Sequence, residues 1–452
     1  MVFDRKGNDK MNLSPKRGQP PGSGLSEVPL VALTSGSWLQ MIRRFSHNAR
    51  LFLIYALLAE LGTGIWRVMF ALYLLAAGFN LDYIGLVLAI NLLFHGLMAF
   101  PAGLIADKMG RKFVFVVATT SAIVFRGFLL FTLNPLLVLI LMAGSGIGDG
   151  FHAVASGPFI MENSEPAERP HLFALESSFL SLSSFVGAMA AGFLPAFWGG
   201  ILGVIPAHYL ALRWALVISL PLTLLSLVPL LFLREHRLPQ DMIDSFAELF
   251  ALRNIQSRGI ILRLAACAIV YGLVFGLIIP FFSVFFRQAQ LLPYQSVGTI
   301  MATGFIGAAL GTLVLGPRLT RRYGKSRGIW IVLWVAAPSV ALMAFMPALP
   351  LVVLFFLIQR AFYGISMPMR NQLAMELVVT KERGTTNGLI HATLDVVGSP
   401  VALIAGTILA SGNFTLTFSM AAVLMFIPGV MYYYFFHKIE DQKRLSSSRL
   451  AA

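Results

Sequence analysis

Cysteine is almost absent: Cys267 is the one copy in 452 residues. That count excludes an intrachain disulfide, a four-cysteine metal site and an iron–sulfur cluster, and alanines around Cys267 make it read as a packed, inert thiol. Charge is scarce as well, at 12% Asp, Glu, Lys and Arg, about half the usual share of a soluble domain. The phosphate-binding pattern GxxxxGK[ST] does not occur, which removes the usual signature of an ATP-driven machine. The first 35 residues hold no long apolar run, so no cleavable signal is expected; KGNDKMNLSPKRGQPPGSG reads as a disordered tail, and WLQMIRRFSHNAR (38–50) as a basic interfacial helix. What is present in excess is apolar: 57% of the chain, in blocks such as LFLIYALLAELGTGIWRVMFALYLLAAG (51–78) and FVFVVATTSAIVFRGFLLFTL (113–133). About 20 such residues cross a bilayer as a helix. The expectation is an all-α, multi-pass membrane protein.

Polar punctuation divides the apolar blocks into twelve spans, near 51–77, 83–106, 113–133, 136–161, 173–198, 208–233, 259–286, 294–316, 328–346, 350–375, 384–410 and 414–436. The longest polar interruption separates spans six and seven. This gives a basic tail (1–46), a first six-helix bundle (47–233), a central loop (234–258), a second bundle (259–437) and a tail (438–452). With both termini on one side, 28 of the 34 Lys and Arg fall on that side. The bias marks it as cytoplasmic, and assigns the net charge of +14 to membrane-facing loops rather than to nucleic acid.

The chain repeats itself. MENSEPAER (161–169) and MELVVTKER (375–383) share the pattern M-E-x5-E-R, 214 positions apart, and the same offset carries Gly110 onto Gly324, Arg111 onto Lys325 and Gly192 onto Gly406. Two like-oriented six-helix units follow, an arrangement that places a substrate site between them near the bilayer midplane.

GLIADKMGRK (103–112) meets every fixed position of G-x-x-x-D-[RK]-x-G-[RK]-[RK]; RLTRRYGKSR (318–327) is its degraded copy, with Arg321 in place of Asp107; and ENSEPAER (162–169) fits E-x-x-x-P-x-x-R. On these motifs residues 47–437 resemble the major facilitator superfamily of secondary transporters. The resemblance implies that fold and a conformational latch of Gly103, Asp107, Gly110, Arg111, Glu162 and Arg169. In it Gly103 allows close approach of a helix backbone, Asp107 sits at the start of span eleven near Gly384–Gly388, Gly110 makes the turn, and Arg111 pairs with Glu162. A purely topological anchor is the alternative. Two departures stand out: Met142 or Ala143 replaces the family's arginine in span four, and GAMAAGFLPAFWGG (187–200) fits the antiporter motif poorly.

GSGIGDGFH (144–152) is neither a dinucleotide loop, since it follows no strand, nor a convincing aspartyl protease motif. The GIGD string has the right form, but PAL (347–349) lies in a loop and no preceding span offers a second catalytic aspartate. It reads as a thin, bendable, cavity-lining helix segment, with Asp149 and His152 on one face. Further ionisable residues lie at mid-span: Glu60, Arg67, Arg126, Arg360 and Asp395. Such groups are costly in a membrane and usually face a water-filled cavity. Glu60, Asp149 and Asp395 are candidate proton acceptors; Arg67, Arg126 and Arg360 are candidate anchors; packing by paired charges is the competing reading. His95 reads as a hydrogen-bonded helix contact. Pro280, Gly276 and Gly272 mark span seven as a second bending element.

The expectation is a secondary transporter rather than an enzyme, working by alternating access in the plasma membrane, with no cofactor. Its partners are a small-molecule substrate, protons and the lipid bilayer; oligomeric state is not read. Export of amphipathic or lipophilic molecules is the first expectation. Uptake or exchange of an organic anion or sugar-like solute is the second, and a non-transporting sensor the third.

Overall fold

A computed structural model describes residues 42–165, 168–234, 256–379 and 382–451. Among them are twelve helices long and apolar enough to cross a membrane. The first six are α1 (His47–Ala76), α2 (Leu81–Met109), α3 (Arg111–Leu130), α4 (Pro135–Glu162), α5 (Arg169–Leu202) and α6 (Tyr209–Leu231). The second six are α7 (Arg258–Ala289), α8 (Tyr294–Tyr323), α9 (Lys325–Phe345), α10 (Leu349–Leu377), α11 (Arg383–Ala410) and α12 (Phe414–Ala451).

Local chemistry sets many of the ends. Ser46, Asn80, Asn134 and His208 accept hydrogen bonds from the first-turn amides of α1, α2, α4 and α6. Gly110 (φ 91°) and Gly324 (φ 86°) turn the chain between α2 and α3 and between α8 and α9, a backbone conformation that costs glycine little. α6 is broken at Ile218. In α7 the α-helix gives way to a 3₁₀ turn at Ile279–Phe281, at the predicted bend beside Pro280, and α8 carries a π-helical turn at Gly311–Leu315.

Equivalent helices pack equivalently in the two halves. α1 lies on α5 and α2 on α4 as α7 lies on α11 and α8 on α10. The halves meet along two seams, α2 with α11 and α5 with α8. Lipid offers little hydrophobic force between helices, so close backbone approach has to hold them. Near the end of the seams away from the basic loops, glycine meets glycine. A methyl on Gly85 would stand 2.8 Å from the Gly406 Cα, and one on Gly298 would stand 2.4 Å from the Gly192 Cα. Toward the basic loops the helices part: a methyl on Gly103 or on Gly388 would meet nothing within 4 Å. Along the α2–α11 seam the packing is thus close at one end and open at the other.

Two expectations need correcting. Gly103 makes no close helix approach, because the helix ends around it are splayed. And α12 does not stop near 436 but continues as one helix to Ala451. The tail reading of 1–41 and most of the central loop lie outside the described residues.

Candidate functional site

The first half closes its own charges. Glu60 and Arg67, two turns apart on α1, reach each other directly, Oε1 to Nη2 2.8 Å. Ser184 of α5 serves both, donating to Glu60 at 2.6 Å and accepting from Arg67 at 3.3 Å. Arg126 of α3 is buried, donates to Asp149 of α4 at 2.7 Å and to Ser145 at 3.3 Å, and lies 5.3 Å from the Trp66 ring centroid. Asp149 keeps 32% of its side chain exposed at the midpoint of its helix. His152, one turn on, has its ring among those of Tyr55 and Phe115.

The glycines around Asp149 act through packing. Methyl groups on Gly144 and Gly148 would collide with Phe125 and Ser121 of α3; on Gly146 and Gly150 they would collide with the Asn91 and His95 carbonyls of α2. α4 runs unbroken through them. The alternate glycines let one helix nest against two neighbours.

The second half leaves cations open. Arg360 of α10, about 17 Å into its helix, has its guanidinium carbon 5.3 Å from the Phe305 ring centroid of α8. Arg67 approaches the same ring at 5.7 Å from the other half. No carboxylate pairs with Arg360 among the described residues. Deeper along α10, Arg370 is buried and stacked 3.6 Å from the Tyr271 ring centroid, its Nε without a hydrogen-bond partner.

Asp395 joins neither group. It faces His95 of α2 across the seam, Oδ2 to Nδ1 2.9 Å. His95, read from sequence as a helix contact, is therefore a site candidate; a lone histidine in an apolar span carries no signal of a partner 300 positions away.

At the basic end, Arg111 donates to Glu162 at 3.1 Å. Lys325 and Glu376, their counterparts at the 214-residue offset, form the same ion pair. Arg169 instead donates to the Met161 carbonyl at 3.2 Å, with its Nε unsatisfied. The side chain of Asp107 lies outside the described residues. Glu382 accepts from the backbone N–H groups of Gln256 and Ser257 at 2.6 and 3.1 Å, tying the α10–α11 loop to the start of α7. Desolvation pushes the Glu382 pKa up, but the hydrogen bonds from Ser257 and the Gln256 amide outweigh it and hold the group below its ordinary value.

No group of three or more His, Cys, Asp or Glu able to hold a metal occurs among the described residues. Asp149 meets an arginine rather than a second carboxylate, so the protease geometry is not formed.

No curated protein matches the chain by sequence. Solved structures do match in fold. The D-xylose–proton symporter superposes with a TM-score of 0.69 at 14% identity, covering 85% of this chain and 97% of that one. The nucleoside transporter NupG, as a point mutant, gives 0.66 at 15%, covering 86% and 99%. The human organic anion transporter MFSD10 (TETRAN) gives 0.63 at 15%, covering 85% and 99%. The family model of the Major Facilitator Superfamily matches residues 51–263 and 264–451, one after the other. With twelve spans, two like halves and charges gathered between them, the chain belongs to the major facilitator superfamily and is a secondary transporter, not an enzyme.

Proposed function

We propose that the chain carries a small organic anion across the plasma membrane, coupled to protons, with its basic face in the cytoplasm. One observation supports this reading above others: Arg360, without an acidic partner among the described residues, meets Arg67 of the opposite half over the single ring of Phe305. A cation at mid-membrane is expensive unless compensated. A substrate carboxylate supplies the missing charge, and Phe305 offers a face to a flat apolar body. Site formation from both halves is what alternating access requires, since the substrate then holds the halves in register while the open end changes.

Export of lipophilic molecules, the first expectation from sequence, accounts for the many phenylalanines but leaves Arg360 uncompensated. A neutral sugar-like solute has the same defect. The lysine and arginine bias supports a cytoplasmic basic face, and the open end would then face the cytoplasm. Arg111, Glu162, Arg169 and Glu382 would steady that end as the latch.

Purified protein in liposomes with an imposed pH gradient tests this with three probes: benzoate, uridine and tetraphenylphosphonium. Saturable benzoate flux, lost in Arg360→Gln and reduced in Arg67→Gln, is the expected result. Saturable tetraphenylphosphonium flux indifferent to Arg360→Gln would return the assignment to lipophilic export. No flux of any probe would favour the sensor.

A further inference from the structure

Three carboxylates sit at mid-membrane, and their partners differ in kind. Glu60 and Asp149 are bonded to Arg67 and Arg126, guanidinium groups that stay charged at every accessible pH. Protonating either acid would strand a cation beside it. Asp395 is bonded instead to His95, the one side-chain type whose ordinary titration spans neutral pH. The partner oxygen is a carboxylate acceptor, so in the neutral ring Nδ1 carries the hydrogen and Nε2 is left as the base. No hydrogen bond to Nε2 is made among the described residues, and the ring is 21% exposed while Asp395 is 7% exposed.

The pair is built into the seam. Gly96 clears the space that Asp395 needs: a methyl there would stand 2.9 Å from the Asp395 Cβ. One turn away Ser399 donates to the Ala89 carbonyl at 2.8 Å, again from one half to the other. The charged and titratable groups around the pair come from every helix packed nearby. On α4, Asp149 and His152 lie within electrostatic reach of His95. On α11, His391 stands one turn before Asp395 and within reach of Arg370 of α10. Arg126 of α3 holds Asp149, and Glu60 of α1 lies near His152.

We propose that the His95–Asp395 pair is the binding site of the transported proton, and that it makes the carrier an electroneutral one-to-one symporter of a proton and a monovalent organic anion. The second half of this statement rests on the anion reading of the preceding section. The incoming proton binds Nε2 and converts a neutral imidazole beside a carboxylate into an imidazolium–carboxylate pair; no covalent bond other than N–H forms. The proton at Nε2 adds one positive charge and a substrate carboxylate at Arg360 adds one negative charge. The doubly loaded carrier therefore has the same net charge as the empty one, and each singly loaded form differs from it by one charge at mid-bilayer. A cycle that crosses with both aboard and returns empty moves no net charge.

Two measurements separate the parts. In wild-type protein labelled with ¹⁵N-histidine, with the signal assigned by its loss in His95→Gln, ring nitrogen shifts should report protonation of His95 between pH 5 and 9, and Asp395→Asn should move that titration to lower pH. A ring that keeps one protonation state across the range overturns the proton site. In liposomes, benzoate accumulation should follow a pH gradient and ignore a potassium–valinomycin potential. His95→Gln should lower gradient-driven accumulation at least tenfold while keeping benzoate binding, read as a rise in unfolding temperature, which also shows that the variant is folded. Arg360-dependent benzoate flux that responds to membrane potential would sink the symport stoichiometry and leave the anion reading standing. Absence of benzoate flux with a titrating His95 would remove the anion reading and the symport with it, and leave the proton site.

Discussion

Arg111–Glu162 in the first half and Lys325–Glu376 in the second are the same ion pair at a 214-residue offset, each following a glycine with positive φ. The mid-membrane charges obey no such rule. Glu60, Arg67, Arg126 and Asp149 correspond at that offset to Val274, Phe281, Val340 and Tyr363, while Arg360 and Asp395 correspond to Gly146 and Ser181. Groups that fasten a six-helix bundle are needed in each copy, because each bundle must close its own ends. Groups that meet a cargo between the bundles are needed once. The first half contributes charges already neutralised in pairs, and the second contributes arginines left open, so the asymmetry itself marks where a counter-charge is to come from.

The seams offer the strongest way to break this comparison. Gly298→Val would drive a side chain into the Gly192 backbone and Gly406→Val into that of Gly85, at 2.4 and 2.7 Å for the Cβ atoms alone. Both seams should fail to shut, with transport in liposomes falling by roughly an order of magnitude or more. Loss in one variant and not the other would end the view of two equivalent seals. Next come the arginines. Arg126→Leu strands Asp149 and should cost about 3 kcal/mol in thermal unfolding in detergent, regained in large part by adding Asp149→Leu. Arg360→Leu leaves no acid unpaired and should cost less than about 1 kcal/mol while abolishing benzoate flux; equal losses for the two would refute their division into paired and open.

The helix ends give smaller effects. Glu440 of α12 accepts from the Lys325 and Ser326 amides and the Ser326 hydroxyl, capping α9. The first half uses the reverse polarity, with Lys112 donating to the Leu231 and Leu233 carbonyls of the α6 end. Glu440→Gln should lower stability by about 1–2 kcal/mol, visible as a reduced unfolding temperature. Arg111→Met and Lys325→Met should each cost under about 1 kcal/mol, the pairs being partly solvent-facing, and a marked difference between them would show that one copy does more than fasten. Smallest is the Glu382 tie. Its pKa is held low, so its contribution stands above the ordinary carboxylate value and is lost as pH falls through the lowered one, below about pH 4. Glu382→Gln should speed hydrogen exchange at the Gln256 and Ser257 amides at pH 7, and the difference from wild type should vanish in acid.

Much of this molecule was legible as a string. Span number and the separation into halves follow from apolar length, because a backbone in lipid has to bond within its own helix. The offset exposed the basic-end pairs, since Arg111 and Glu162 sit at helix ends that a short turn brings together. The site was legible only as an inventory. Glu60 and Arg67 share a face by helical period, and their contact could be anticipated. Arg126 with Asp149 required the rotation of α3 against α4, set by Gly144 and Gly148.

By itself the sequence determined the twelve spans, the doubled architecture and the list of costly charges at mid-membrane, because hydropathy and the 3.6-residue period are properties of neighbours along the chain. Tertiary structure alone decided which mid-membrane charges meet between helices. His95 finds Asp395 across 300 positions, and Arg67 finds Arg360 over Phe305. Those meetings depend on how two bundles turn toward each other, and on glycines that set how closely the helices approach.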